Sequence, residues 1–341
     1  MLTQERIHAI EKALRNKTVA ILGDFCLDIY WQADMTRSEL SRETPHFPLP
    51  VVEERVSLGA GGNVAANLAA LGPKEILAVS LYGADWRGRL LAEEVKKAGV
   101  SPEWLVPSGQ RFTNAYCKPL RKGISATVYE DPRLDFENDA PIGEAAEEAV
   151  IQRLRSVADK ADLLCVADQF RFGVVTARVR SELIALAKSG LPVIVDSRYR
   201  IGDYTDCILK PNEVECWRAV YGNDGYRDAS LRDLTNAADA LAKRNRATVF
   251  CTLGANGSYL TEGENGIRTS AVPVSGEVDI CGAGDTTLAA FACALAAGAT
   301  HEEAARLAAM ASAVTVKKIG ETGTATFAEM LSLAEAASGA L

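Results

Sequence analysis

Asp279-Ile-Cys-Gly-Ala-Gly-Asp285 runs without a break into the helix-period stretch Thr286 to Ala297. Two glycines with only alanine between them let a backbone pass close to a ligand. The unpaired N–H groups of the helix start that follows point at whatever binds there, and the helix dipole favours an anion. A carboxylate beside such a turn repels phosphate unless it has chemistry to perform. In one reading Asp285 takes the proton from an attacking hydroxyl, while the amides of Gly282, Ala283 and Gly284 hold charge on a moving phosphoryl group. In the other, the segment is an ordinary strand-to-helix turn with an aspartate N-cap.

Outward from this turn, strand-like apolar runs alternate with helix-period segments. Val19–Leu22, Ile76–Leu81, Leu163–Ala167, Val193–Val195 and Val249–Leu253 read as buried strands. Val64/Leu68/Leu71, Leu91/Val95/Ala98 and Val179/Leu183/Leu186 read as helices, with Gly99 and Gly190 where C-terminal caps belong. Glu302 and Glu303 open a further helix, which Lys317, Lys318 and Gly320 are expected to close. The pattern predicts a mostly parallel sheet with helices on both faces. Two stretches interrupt it: Tyr30 to Val56, with Pro45, Pro48 and Pro50, and Phe112 to Phe136, which has strand character without a helix. They are expected to form a small antiparallel lid, or else a long loop and a hairpin. One α/β domain over residues 1–341, with lid segments at about 30–56 and 112–136, is the expected organisation.

Composition narrows the function classes. Nearly half of the 341 residues are hydrophobic (48%) and 24% are charged, as in a globular protein with a large core. A net charge of −8 argues against a general nucleic-acid surface. No apolar run is long enough for a membrane span, and Met1 to Lys17 lacks the apolar core of a secretory signal. The eight cysteines form no CxxC pair and several lie in strand-like runs, so reduced thiols and a cytoplasmic location are expected.

Four further segments carry candidate chemistry. Gly59-Ala-Gly-Gly-Asn63 suits close approach to a polyol through Gly61, Gly62 and the Asn63 amide, or makes Asn63 an N-cap; its glycine spacing is a poor dinucleotide fingerprint. Asp28 follows the first strand, where it can bind sugar hydroxyls or remain a solvated loop carboxylate. Asn212 and Glu215 can hold a hydrated magnesium ion or merely start a helix. Thr252, Gly254 and Gly257 make a turn able to approach a nucleotide, or an ordinary hairpin.

In their order and joint presence, these segments resemble the ribokinase/PfkB carbohydrate kinase family. Gly59 to Gly72 and Asp279 to Asp285 look like its two signatures, Asn212 to Glu215 like its N-x-x-E motif, and Thr252 to Gly257 like its nucleotide loop. Gly83 to Gly88 is similar to another recurrent turn, so the likeness spans about residues 20 to 325. The resemblance implies a three-layer α/β/α sandwich with a small β lid, ATP and Mg2+ as cofactors, and K+ as a further one near Asp279 and backbone from Val316 to Gly323. It implies Asp285 as base, Gly282 to Gly284 as anion hole, and Asp28, Gly61, Gly62 and Asn63 as sugar contacts. Asn212, Glu215, Thr252, Gly254 and Gly257 would serve the nucleotide, with Glu215 reaching Mg2+ through water.

Gly23 to Trp31, Ser41 to Pro45 with Pro50 to Val52, and Arg133 to Glu137 resemble the D-glycero-β-D-manno-heptose 7-phosphate kinase branch. Asp168-Gln-Phe-Arg-Phe-Gly173 and Asn114 to Leu120 depart from it. In bifunctional members of the branch a nucleotidyltransferase follows the kinase, and no room for one is expected before Leu341. Lys118, Arg121 and Lys122 can grip a substrate phosphate or simply solvate the surface. Tyr30, Trp31 and Phe47 can stack a nucleoside or seal a homodimer through paired lids. A kinase acting on a nucleoside or another small alcohol, and a sugar or nucleotide sensor without catalysis, are the alternatives; a sensor has no need of a base at 285.

Overall fold

The computed structural model describes residues 2–262, 266–320 and 322–338 of the 341-residue chain. The chain opens with α1 (Gln4–Leu14), β1 (Thr18–Gly23), β2 (Phe25–Asp34), β3 (Val51–Ala60) and α2 (Gly61–Leu71). Next come β4 (Glu75–Val79), β5 (Leu81–Gly83), α3 (Trp86–Lys97), β6 (Val106–Ser108), β7 (Ala115–Lys122), β8 (Val128–Glu130) and β9 (Leu134–Phe136). The middle holds α4 (Glu144–Ala158), β10 (Leu163–Asp168), α5 (Ala177–Lys188), β11 (Val193–Ser197), β12 (Ile208–Leu209), α6 (Glu213–Tyr221) and α7 (Leu231–Asn245). The remainder is β13 (Thr248–Thr252), β14 (Ser258–Leu260), β15 (Ile267–Thr269), α8 (Ala283–Ala296), α9 (His301–Thr315) and α10 (Phe327–Ser338). Among the described residues, no helix is long and apolar enough to cross a membrane.

Eight strands form the central sheet in the order β15-β14-β13-β12-β11-β10-β1-β4. Its pairs are parallel from β4 across to β13, and antiparallel only at β13–β14 and β14–β15. Side chains alternate across a strand, so Val19 and Ile21 of β1 enter a core shared with α1, α2, α8 and α9. Ala20 and Leu22 enter a second core with α4, α5 and α7 on the opposite face. Three layers follow from that alternation alone. Phe250 of β13 stacks on Phe291 of α8 at 4.3 Å and 11°, fixing α8 against the sheet.

The lid is a second sheet of order β3-β2-β7-β8, with β9 also on β7. It grows directly out of β1, with Asp24 alone between the two strands. The expected antiparallel arrangement needs correction, because β2 and β7 pair in parallel from Leu27/Ala115 to Asp34/Lys122. The irregular stretch is also shorter than expected, since β2 continues to Asp34 and β3 begins at Val51.

Other boundaries move for local reasons. The run Ile76–Leu81 breaks at Ser80, whose hydroxyl accepts from Phe25 N (3.2 Å) and whose carbonyl accepts from Val106 N (2.8 Å). β5 then leaves the main sheet to pair with β6. The helix opened by Glu302 and Glu303 ends at Thr315. Lys317 and Lys318 follow it and close its last turn through their backbone N–H groups, on Val314 O (3.3 Å) and Thr315 O (2.9 Å), while their side chains fasten loops, Lys317 through Ser275 O and Glu277 O, and Lys318 through Thr324 O and Glu329. All eight cysteines are unpaired, and all but Cys281 are buried.

Gly23 sits at the root of the lid, where a β-carbon would lie 2.6 Å from Ala167 O and 2.8 Å from Ala167 Cβ. Neither obstacle is a flexible side-chain end, so Gly23→Ala is expected to lower stability by about 1–3 kcal/mol through overpacking. Urea unfolding checks this, and an unchanged midpoint would contradict the close approach of β1 and β10.

Candidate active site

Two helix starts converge above the carboxyl end of the sheet. At the first, the chain leaves β3 through Ala60, whose φ of 50° and ψ of −129° lie in a region costly for any residue with a β-carbon. Gly61 N donates to Asp24 O at 2.8 Å, and a β-carbon on Gly61 would press on that oxygen and on the Phe25 ring, both at 3.0 Å. Gly62 packs on Leu58. Both glycines are buried and serve the turn. Asn63 is not an N-cap; it is the third residue of α2 and buried.

The second start is the quoted turn. Gly282 has φ 77° and precedes α8, where Asp285 is the third residue. A β-carbon on Gly282 would stand 2.8 Å from Asn63 Nδ2, so only glycine lets the two helices approach this closely. Across the gap Asn63 Nδ2 donates to Asp285 Oδ2 at 2.8 Å. Of the three amides expected to hold an anion, that of Ala283 already donates to Ile280 O at 3.2 Å. Those of Gly282 and Gly284 have no partner among the described residues. Burial pushes the Asp285 carboxyl up to about 7; the charges of Asp196 and Asp28 add to the rise, while the Asn63 hydrogen bond and Lys210 oppose it.

Lys210 and Asp196 were missed in the sequence, although Lys210 immediately precedes Pro211-Asn212 and Asp196 ends a strand-like run. They form a buried ion pair of 2.7 Å, and Gln169 Nε2 donates to the other Asp196 oxygen at 3.1 Å. The pair lies beside Glu215, whose carboxyl is also pushed to about 7, by burial first and then by Asp196. Asn212 and Glu215 make a reciprocal capping box at the start of α6, each 2.9 Å from the other's backbone N–H. Glu215 Oε1 has no hydrogen-bond partner among the described residues. Among those residues no group of three or more His, Cys, Asp or Glu could enclose a metal ion.

Thr252 joins this corner through a parallel bridge to Asn212 and its N–H on Pro211 O (2.9 Å). Gly254 (φ 55°) and Gly257 (φ 83°) form the β13–β14 hairpin turn, and a β-carbon on Gly257 would lie 2.0 Å from Thr269 O. Just beyond, a cavity of about 320 Å³ opens between the 268–273 segment and α9, with Val272, Pro273 and Ala309 as apolar walls and Arg268 and Arg306 as charged ones.

The third side belongs to the lid. Asp28 lies buried on β2, and a β-carbon on Gly59 would come within 3.0 Å of its Oδ2. Burial raises the Asp28 carboxyl, against the pull of Lys118, Arg133, Thr322 and Arg55. Lys118 Nζ stands 4.0 Å from Asp28 and donates to Tyr30 OH at 3.0 Å, while the Arg55 guanidinium covers the Tyr30 ring at 4.0 Å. Arg121 turns instead to Asp131 (2.7 Å), and Lys122 is exposed at the end of its strand. Asp279 accepts from Cys281 N and Gly320 N, both at 2.9 Å, so its two oxygens fasten the 316–320 turn to the glycine turn. Glu321, within the expected 316–323 backbone partner, lies outside the described residues.

The departing segment 168–173 is structural at its first residue. Asp168 is fully buried and bound by Ser197, Arg200 and Tyr204. Asp24 clamps the rest, accepting from Gln169 N, Phe170 N and Val174 N at 2.6–2.8 Å. Even so, burial and the Asp168 charge hold the Asp24 carboxyl up at about 7.

The sequence model of the pfkB family carbohydrate kinases matches residues 19–326. The chain is 33% identical over 329 residues to the bifunctional protein HldE of Bradyrhizobium sp. (strain ORS 278), covering 94% of this chain and 64% of that protein. It is equally 33% identical over 338 residues to the bifunctional protein HldE of Caulobacter vibrioides, covering 97% of this chain and 66% of that protein. The chain thus spans just under two thirds of these curated relatives. Among solved structures, Arabidopsis thaliana ribokinase complexed with ribose and ATP superposes with TM-score 0.69 at 22% identity, covering 93% of this chain and 98% of that one. Phosphofructokinase-2 from Escherichia coli in complex with fructose-6-phosphate superposes with TM-score 0.71 at 19% identity, covering 95% and 99%. The fold is therefore ribokinase-like.

Asp24, Glu215 and Asp285 all titrate near 7 in the folded chain, above the ordinary carboxylate range. The folded state then binds more protons than the unfolded one between about pH 4 and pH 7, so their contribution to stability is fully present below about pH 4 and lost as pH rises through about 7. Thermal midpoints measured between about pH 5 and pH 8 should fall with rising pH, and less steeply in Asp285→Asn. An identical slope in that variant would contradict the raised Asp285 carboxyl.

Proposed function

The chain belongs to the pfkB carbohydrate kinase family, and on that footing we propose that it transfers the terminal phosphoryl group of ATP to a hydroxyl of a phosphorylated sugar, with heptose 7-phosphate as the leading acceptor. The observation that carries this reading is the 2.8 Å hydrogen bond from Asn63 to Asp285, set beside the free N–H groups of Gly282 and Gly284. That bond occupies Oδ2 of Asp285, and Oδ1 has no partner among the described residues. Oδ1 is the atom that takes the acceptor's proton. A carboxyl titrating near 7 suits general-base work at neutral pH, worth about 10²–10⁴-fold.

Phosphoryl transfer asks the protein for alignment and charge stabilisation more than covalent help. The Gly282 and Gly284 amides, at the positive end of α8, stabilise charge developing on the transferring group. The purine of ATP fits the cavity beside Gly257, between its apolar walls and Arg306. Glu215 and Asp196 form an anionic corner with the free Oε1 of Glu215, which fits a hydrated Mg2+ that takes few protein ligands. When bound, that ion neutralises nucleotide phosphate charge. Lys210 keeps the corner from repelling the nucleotide. The lid covers the acceptor and excludes water that would otherwise compete for the phosphoryl group.

The lid also supports a phosphorylated acceptor over a neutral one. Arg55, Lys118 and Arg133 surround Asp28, and Arg133 also pairs with Asp135 at 2.6 Å. Three cations against two carboxylates leave one positive charge in excess, which a phosphate satisfies through charge-assisted hydrogen bonds. The same lid also exposes Phe47, Val51, Val52 and Tyr129, each about half exposed or more. Isolated lids are poor at hiding such a patch, so we assign it to a second copy of the chain.

A coupled Mg–ATP assay over heptose 7-phosphate, fructose 6-phosphate, fructose, ribose and adenosine tests the reading; turnover confined to neutral acceptors would overturn the choice of substrate. Asp285→Asn should reduce turnover by about 10²–10⁴-fold with ATP binding nearly unchanged. Lys118→Met should raise KM for phosphorylated acceptors by about tenfold and leave neutral ones unaffected. In light scattering, Phe47→Asp should shift a dimer toward monomer; a wild-type monomer would refute the paired lids.

A further inference from the structure

The hydrogen bond that holds Asp285 is the last link of a longer chain. Thr286 Oγ1 donates to Asn67 Oδ1 at 2.9 Å. Asn67 Nδ2 donates to the Asn63 carbonyl at 3.0 Å and to Asn63 Oδ1 at 3.3 Å. Asn63 Nδ2 then donates to Asp285 at 2.8 Å. Thr286 and Asn67 are fully buried and Asn63 nearly so, which leaves no water to replace a missing partner.

The polarity of this chain is fixed at both ends. A backbone carbonyl only accepts, so the Asn67 nitrogen must face Asn63. Its oxygen then faces Thr286, whose hydroxyl must donate. At the other end a carboxylate accepts, so Asn63 turns its nitrogen to Asp285 and its oxygen to Asn67. Each amide has one orientation that satisfies both neighbours. The loop also closes on itself, because Thr286 follows Asp285 in α8 while Asn63 and Asn67 stand one turn apart on α2.

We propose that Asn67 and Thr286 are positioning residues that lock Asn63 as a donor to one oxygen of Asp285 and so present the other oxygen to the acceptor hydroxyl. Neither touches a reactant. The proposal rests on Asp285 being the base of the kinase reading, and it goes beyond that reading in naming what orients the base. It also separates two functions of α2, whose glycines shape the turn while its asparagines orient the carboxylate.

Thr286→Val keeps the shape and removes the donor, and Thr286→Ser restores it. In the full chain, with Mg–ATP and the best acceptor, Thr286→Val should lower kcat about 5- to 50-fold with both KM values within about twofold. A weakened donor to the carboxylate should also move the acidic limb of the kcat profile upward in pH. The other groups acting on that carboxylate, Asp28, Cys26, Asp196, Lys210 and Cys281, are unchanged by the substitution. Thr286→Ser should recover most of kcat and the original limb. Asn67→Asp, which cannot donate to Asn63, should lose kcat at least as severely as Thr286→Val. ¹³C-carboxyl NMR, with the Asp285 signal assigned by its loss in Asp285→Asn, should show the same upward shift without any turnover. Wild-type kcat and titration in Thr286→Val, or equal damage in Thr286→Ser, would overturn the relay. If the wild-type protein phosphorylates no acceptor, the kinase reading fails and the NMR titration alone decides the relay.

Discussion

The contact between the Asn63 amide and the Asp285 carboxylate joins the start of α2 to the start of α8, and the site exists because those two helix starts meet. Sterics make the meeting possible. Gly282 leaves the space that Asn63 occupies, and Gly61 lets the chain turn tightly over Asp24 and Phe25. Two helix N-termini pointing at one place concentrate partial positive charge there. A carboxylate put in the same place is favoured by those dipoles and by its hydrogen bond, yet opposed by burial and by Asp196 and Asp28. Burial wins. The result is a carboxyl pushed up to about 7, in the range that suits a general base at neutral pH.

The lid is rooted in this same region at both ends. β2 starts immediately after Asp24 and β3 finishes at Ala60, and Phe25 and Ala60 face each other in the ladder. Asp24 is gripped by three backbone N–H groups, so one root is rigid. Ala60 holds an unfavourable backbone conformation one residue before α2, so the other root is strained. Any displacement of β3 therefore acts on the residues leading to Asn63. The substrate contacts proposed on the lid and the orientation of the proposed base are thus mechanically adjacent, without any long-range path.

Much of this was legible in the sequence, and what was legible is local. Val19 to Leu22 and its parallel counterparts are continuous apolar runs, which only a sheet buried on both faces requires. Gly282 and Gly257 announce themselves because their backbone angles exclude other residues. The missing parts depend on partners distant in the chain. Ser80 breaks a strand because Phe25 and Val106 need its hydroxyl and carbonyl, and nothing near residue 80 reveals them. Lys317 looks like a helix-end charge until Ser275 and Glu277 are placed beside it. Asn67 reads as an ordinary polar position of α2, and its relation to Thr286, 219 positions away, appears only in three dimensions.

The site is held at a thermodynamic disadvantage. Asp24, Glu215 and Asp285 all prefer the protonated form more strongly when folded, so each makes the native chain less stable at neutral pH than at acid pH. An apolar residue in place of Asp285 would relieve part of that cost and remove the proposed base, whereas at Asp24 it would leave three backbone N–H groups without their acceptor. Lys210 offsets part of the cost, because one buried cation lies within reach of Asp196, Glu215 and Asp285 together. That arrangement also distinguishes the two anionic guests of the proposed reaction. In that proposal a nucleotide's phosphates would approach amide donors backed by Lys210, whereas the acceptor's phosphate would approach Arg55, Lys118 and Arg133 on the lid. The positive charges are divided between sheet and lid, and in the proposed reaction that division would align the two substrates on either side of Asp285.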